Sequence, residues 1–258
     1  MRLPIRPAQL AADIRTATLF CTRLVVPATP LSSGSEIARA SWAFPIAGAI
    51  VGLAAAAVYW LAREVGVPPL AAAGLTLAAT LGLTGCLHED GLADVADSFG
   101  GHTRAHKLEI MRDSRIGTYG ACALMLSLLL RAGSLAAIVD PAAAAPVLVA
   151  VHMASRASIP VFICVIPPAR TDGLSAGVGK LHPAAAAAGT LLGLAALAFA
   201  LGPGGAALGV VLIAGLFGLL AWFSVRQLGG QTGDVLGALE QLCEVAILLV
   251  AAAIAAPG

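Results

Sequence analysis

Asp90, Asp94 and Asp97 are spaced so that a single helix would carry all three on one arc of about 60°. Carboxylates held that close repel one another and take up protons unless a cation sits among them. Hard oxygen donors of this kind suit Mg²⁺, or alternatively Mn²⁺, ions ordinarily shared with substrate phosphates. Glu89 adds a fourth acid, so four of the chain's 14 acidic residues fall within nine positions. The ordinary explanation of such a run is a solvated helix start favoured by the helix dipole. In a chain this poor in acids, the crowding favours metal ligation by Glu89, Asp90, Asp94 and Asp97. His88, just before them, offers a general base or a hydrogen-bond donor to phosphate, with capping or packing as its plain alternative.

Two further clusters could serve the same chemistry. In Met111-Arg-Asp-Ser-Arg-Ile-Gly-Thr-Tyr-Gly120, Arg112 and Arg115 flank Asp113. They read either as an ion pair capping the next helix or as guanidiniums whose planar fork grips a phosphate. Gly117 and Gly120 would allow the backbone to come close. The third cluster, Gly229-Gly-Gln-Thr-Gly-Asp234, is followed by Glu240 and Glu244, which share a helix face. Acids inside an apolar helix are costly and normally mark a polar cavity. Arg156 would then pair with one of them or hold a substrate phosphate. Arg131 lies near the middle of another apolar run with no partner visible from spacing. The glycine-rich stretch Gly173–Lys180 fails the phosphate-loop pattern, because Leu174 and Leu181 stand where Gly and Ser or Thr are needed.

Composition says what must hold these clusters. Of 258 residues, 59% are hydrophobic and only 11% charged, under half the charged share of a soluble domain. The net charge of +1 gives no electrostatic footprint for nucleic acid. Seven runs approach the roughly 20 apolar residues that a bilayer core requires: Ser41–Leu61, Pro68–Leu87, Thr118–Val139, Ala143–Ile166, Ala184–Leu201, Gly204–Phe223 and Leu236–Ala256. The expected fold is therefore all-α, a polytopic helical membrane bundle with a hairpin at Leu201–Gly204. Twelve of the thirteen Lys and Arg residues outside these runs fall on one side of the implied topology, which by the positive-inside rule is the cytoplasm. Residues 1–40 read as an interfacial amphipathic helix, with Leu10, Ile14, Cys21, Leu24 and Val25 on its apolar side, ended by Pro27 and Pro30. They lack the continuous apolar core of a cleaved signal peptide. The chain reads as one membrane domain, 1–258, whose bundle 41–256 presents inner loops 88–117, 167–183 and 224–235. The five cysteines have no metal-binding spacing and read as small apolar residues.

Taken together, His88-Glu-Asp-Gly-Leu-Ala-Asp94-x-x-Asp97, Asp113-Ser-Arg-Ile-Gly117 and Gly229-Gly-x-Thr-Gly-Asp234 resemble the cobalamin synthase family. Phe20-Cys-Thr-Arg-Leu-Val-Val-Pro27 is similar to that family's N-terminal signature. The resemblance covers about residues 20–245, with Cys86 and Ser98 standing where the family pattern has Gly. It implies a bacterial inner-membrane enzyme whose substrates are adenosylcobinamide-GDP and α-ribazole or its 5′-phosphate. The ribazole 3′-hydroxyl would attack the corrinoid-side phosphorus and release GMP. Catalytic roles would fall to His88, Asp113 and Arg115, and substrate contacts to Arg112, Arg156, Thr232, Asp234, Glu240 and Glu244. A homo-oligomer is compatible with this reading.

Two rivals are weaker. A CDP-alcohol phosphotransferase would carry Ala-Arg after its first Asp-Gly, whereas Asp90-Gly-Leu-Ala is followed by Asp94. A secondary transporter would tend to show paired repeats and a site at the bilayer midplane, and neither is evident here.

Overall fold

The fold is described from a computed structural model, covering residues 7–24, 33–171, 177–179 and 181–255. The expected helix stop at Pro27 and Pro30, and most of the Gly173–Lys180 loop, lie outside the described residues. Two N-terminal helices, α1 (Pro7–Cys21) and α2 (Gly34–Ala40), precede a bundle. The bundle comprises α3 (Phe44–Glu64), α4 (Pro69–Thr84), α5 (Leu87–Asp97), α6 (Arg104–Ile110), α7 (Thr118–Ala137), α8 (Pro141–Val165), α9 (Pro183–Phe223) and α10 (Gly233–Ala255). Strands are absent among the described residues.

Five helical stretches are long and apolar enough to cross a bilayer, and a sixth appears if α4 and the bent α5 are counted together. The longest of the five is itself two crossings. At Gly202 the backbone leaves helical geometry (φ 66°, ψ 176°), immediately before Pro203. Leu194 and Leu197 from the first half then line the same cavity as Val210 and Ile213 from the second. Gly189 lies against Trp42 and Pro45, while Leu220 and Phe223 share a core cluster with Ala43 and Phe44. Both ends of α9 thus return to one end of the bundle, which is the expected hairpin, and the seven predicted apolar runs all reappear as helices.

The central helix is α8, most of whose length is buried between α3, α9 and α10. Gly48 and Gly52, one turn apart on α3, meet the α8 backbone at His152 and Val149, where any side chain would collide. Without a hydrophobic drive between helices in lipid, such close approach supplies the packing. Outward faces carry large apolar residues, among them Leu129, Leu191, Phe199 and Val211, as contact with acyl chains requires.

The N-terminal helix α1 buries a mixed face, with Ile14 and Cys21 packed on the core beside polar residues. Asp13, Thr16, Ala17 and Cys21 are buried, while Leu10 and Leu24 are exposed. Asp13 accepts hydrogen bonds from Arg39 Nε at 2.9 Å, Trp42 Nε1 at 3.1 Å and Gln9 Nε2 at 2.8 Å. The reason is the solvent. In an apolar medium, polar groups find partners inside the protein and leucines face out.

One turn decides where the acidic segment goes. Gly85 (φ 66°) and Cys86 (φ 57°) both adopt the left-handed conformation, and the axis swings by 92° between α4 and α5. The acidic helix therefore leaves the axis of the crossing helix and lies across the end of the bundle. Cys86 is the only non-glycine residue with positive φ among the described residues, at a position where the family pattern has Gly. A side chain in this conformation costs about 1–2 kcal/mol. Cys86→Gly is accordingly expected to raise stability by about 1 kcal/mol, read as a higher thermal midpoint in detergent with activity retained.

Candidate active site

The site has a surface tier and a buried tier. On the surface, α5 rests on the start of α10 because Gly91 has no side chain to strike the Asp234 backbone. Asp90, Asp94 and Asp97 on α5 and Asp234 on α10 form a patch of negative charge. Burial first, then the charges of Asp234, Asp90 and Asp97, push the Asp94 carboxyl up to about 7. Arg170 partly compensates from the side, its Nη2 lying 3.2 Å from Asp234 Oδ2. The loop bearing Arg170 is fixed to the loop before α10 by Gln231 N–H donating to Pro167 O and Ala169 N–H to Gln231 O, both at 2.8 Å. Arg104 holds the same corner, donating to Ala169 O at 2.9 Å.

Asp97 does something its spacing did not reveal. It accepts hydrogen bonds from Gly117 N at 2.7 Å and Gly120 N at 2.8 Å, capping the first turn of α7. Side chains at 117 or 120 would occupy the space of that carboxylate. These glycines therefore admit Asp97 rather than a substrate. Thr232, expected to contact substrate, is buried and caps α10 by accepting from Val235 N at 3.3 Å.

Two cavities meet at Asp90. The first, of about 240 Å³, is bordered by Glu89, Asp90, Asp94, Arg115 and apolar residues of α4 and α7. The second, of about 220 Å³, lies on the other side, lined mainly by apolar residues of α1, α2, α3, α8 and α10, with His88, Asp90 and Asp234 among its polar groups. At the mouth of the first, Arg115 is exposed and forks onto Asp113, with Nε 3.0 Å from each carboxylate oxygen. These bonds hold the Asp113 carboxyl down to about 2. Arg112 sits in the turn after α6, its N–H donating to Glu109 O at 2.9 Å.

Beneath this tier lies an ionic network that joins four helices. Arg131 on α7 reaches Glu244 at 3.0 Å and Glu89 at 3.1 Å. Arg156 on α8 contacts Glu240 at 2.6 Å and Glu244 at 3.2 Å. His152 Nδ1 lies 2.5 Å from Glu244, and Ser155 Oγ donates to Glu240 at 3.2 Å. His88 Nδ1 lies 3.5 Å from Glu240 Oε2 without forming a hydrogen bond.

This arrangement gives several of the expected site residues partners within the protein. Arg156, Glu240 and Glu244, anticipated as substrate contacts in a cavity shared with the aspartates, are buried in the network and border neither cavity at Asp90. Arg131, which had no visible partner, has two. Glu89 gives one oxygen to Arg131, while the other is buried without a hydrogen bond. Among the described residues, only His152, Glu240 and Glu244 bring ligand atoms within 4.8 Å of one another. The Arg156 guanidinium already bridges those two glutamates, leaving little charge for a cation to neutralise. The surface aspartates are more widely spread. His152 was missed, although it lies one turn from Arg156 on the same face of α8, a spacing that could have found it.

The cobalamin-5-phosphate synthase family model matches residues 13–252. A protein of Bradyrhizobium diazoefficiens named adenosylcobinamide-GDP ribazoletransferase is 53% identical over 245 residues, 94% of either chain. Proteins of the same name from Mesorhizobium japonicum and Azorhizobium caulinodans are 49% and 44% identical, over 97% and 95% of this chain and 98% and 97% of their own. No solved structure matches.

Removing one member of a buried ion network leaves its partners charged and unpaired, at a cost of about 3–5 kcal/mol. Arg131→Ala is expected to lose that much, seen as a large drop in thermal midpoint. Arg131→Lys should recover only part of it, because one ammonium cannot fork between Glu89 and Glu244.

Proposed function

The chain belongs to the cobalamin-5-phosphate synthase family, and from that premise we propose that it transfers the phosphocobinamide group of adenosylcobinamide-GDP to the 3′-hydroxyl of α-ribazole or its 5′-phosphate, releasing GMP. The observation that carries this is the position of Asp90 on the boundary of two cavities. In-line displacement at phosphorus needs the nucleophile and leaving group on opposite sides of the reacting atom, with charge neutralised around it. The polar cavity, with Asp90, Asp94 and Arg115, suits the diphosphate of the donor.

The carboxylates there fit a divalent cation. Burial, and after it the charges of Asp234, Asp90 and Asp97, raises Asp94 toward neutrality, and oxygen donors of this type suit Mg²⁺. Asp90 and Asp94 would hold it, with Asp234 and Glu89 beside them. When bound, the ion neutralises the diphosphate and the developing negative charge. Arg115, oriented by Asp113, would fork onto a phosphate oxygen. Asp97 would act by holding α7 and the Arg115 turn against α5. His88, at the edge of the second cavity, would receive a hydrogen bond from the acceptor hydroxyl.

The membrane setting gives direction. The polar clusters gather at one end of the bundle, the side on which twelve of thirteen loop cations fall, so the site faces the cytoplasm from the inner membrane. Soluble nucleotide substrates would reach it there.

Purified protein given adenosylcobinamide-GDP, α-ribazole and Mg²⁺ should produce GMP and adenosylcobalamin in equal amounts. Chelation with EDTA should stop the reaction and added Mg²⁺ restore it. Asp90→Asn should lower turnover at least about 100-fold with an unchanged melting curve. A wild-type protein that yields no GMP under these conditions would refute the reading.

Metal binding should also depend on pH. A cation favours the ionised form of Asp94, so a carboxyl at about 7 must release a proton as the ion enters. Between pH 6 and pH 8, Mn²⁺ affinity measured by electron paramagnetic resonance should tighten about tenfold. Asp94→Asn should flatten that dependence.

A further inference from the structure

We propose that the apolar cavity on the far side of Asp90 is the acceptor subsite, and that it takes the flat, apolar ring of a benzimidazole nucleoside. This rests on the transferase reading above and assigns one of its two substrates to a place. Phe20, Ile37, Phe44, Ile159, Ile163 and Leu236 supply most of the apolar lining. Phe20 and Phe44 are themselves stacked, with centroids 5.3 Å apart and planes inclined by 17°, so an aromatic pair forms part of the wall.

Size and chemistry decide the occupant. At about 220 Å³ the space is smaller than the roughly 300–1,000 Å³ that houses a whole drug-sized ligand. It accepts one fused ring system and excludes a corrinoid macrocycle. The remaining candidates are the guanine of the donor and the dimethylbenzimidazole of the acceptor. Guanine carries donors and acceptors along its edge, and those that fell on the apolar side of the cavity, away from His88, Asp90 and Asp234, would be buried unpaired at a cost of about 1–3 kcal/mol each. Dimethylbenzimidazole in its nucleoside keeps a single ring acceptor, and its methyl groups and aromatic face lose nothing by that burial.

The polar groups are placed to suit a nucleoside. His88 is buried and its Nδ1 has no hydrogen-bond partner, while Asp90 and Asp234 border the same space. A ring seated between the phenylalanines and the α8 isoleucines would leave its ribose beside this polar group. Asp90 is also the residue that this cavity shares with the polar one. A ribose hydroxyl there faces the donor phosphorus across a single side chain.

The test uses full-length protein in detergent and an α-ribazole analogue carrying a photoreactive azide on its benzimidazole ring. After irradiation, mass spectrometry should find adducts in the peptides of Phe20, Ile37, Phe44 and Ile163, suppressed by excess α-ribazole but not by GMP. Adducts around Ile116, Leu124 and Leu128, or suppression by GMP alone, would overturn the assignment. Ile163→Trp, which fills the cavity, should raise KM for α-ribazole at least tenfold while KM for adenosylcobinamide-GDP stays within twofold. The reverse pattern would also overturn it. The two proposals fail separately: labelling reports where the ring sits whether or not GMP is released, and absent GMP release condemns the transferase reading alone.

Discussion

Arg131 and Arg156 are nearly inaccessible to solvent, and their guanidiniums are paired only because three glutamates from two other helices reach them. In an apolar bundle, neither partner can fall back on water, so the pairs must form together or not at all. That demand fixes α5, α7, α8 and α10 relative to one another. It does so just below the carboxylates of α5, whose mutual positions decide what the surface tier can bind. The aspartates are thus placed from underneath, by groups most of which border neither cavity at Asp90.

The network carries an unbalanced charge. Three carboxylates face two guanidiniums, and His88 and His152 stand beside them. One proton held among these groups makes the set neutral, which a low-dielectric interior favours strongly. This supports the view of the glutamates as a structural counter-charge rather than a second metal centre.

Much of this was legible in the sequence, and what was missed shares a cause. The apolar runs, the hairpin at Leu201–Gly204 and the single arc of Asp90, Asp94 and Asp97 all follow from periodicity within one helix. Arg131 defeated that method, because its partners lie 42 and 113 residues away. Asp97 defeated it too, since its amide donors are 20 and 23 positions on and nothing in its own helix records them. In the N-terminal helix, periodicity marks an apolar side but does not say which of its residues pack on the protein: Ile14 and Cys21 do, while Leu10 is exposed. Cys86 was noticed only as a departure from a pattern, while its left-handed backbone explains why the pattern has Gly.

The cap that Asp97 places on α7 has a dynamic consequence. The amides of Gly117 and Gly120 are satisfied by a side chain from another helix, not by a rung of their own. Their exchange with solvent deuterium is therefore gated by the departure of that carboxylate. Protection at these two glycines reports the docking of α5 against α7, and they serve as a built-in gauge of the acidic helix's position.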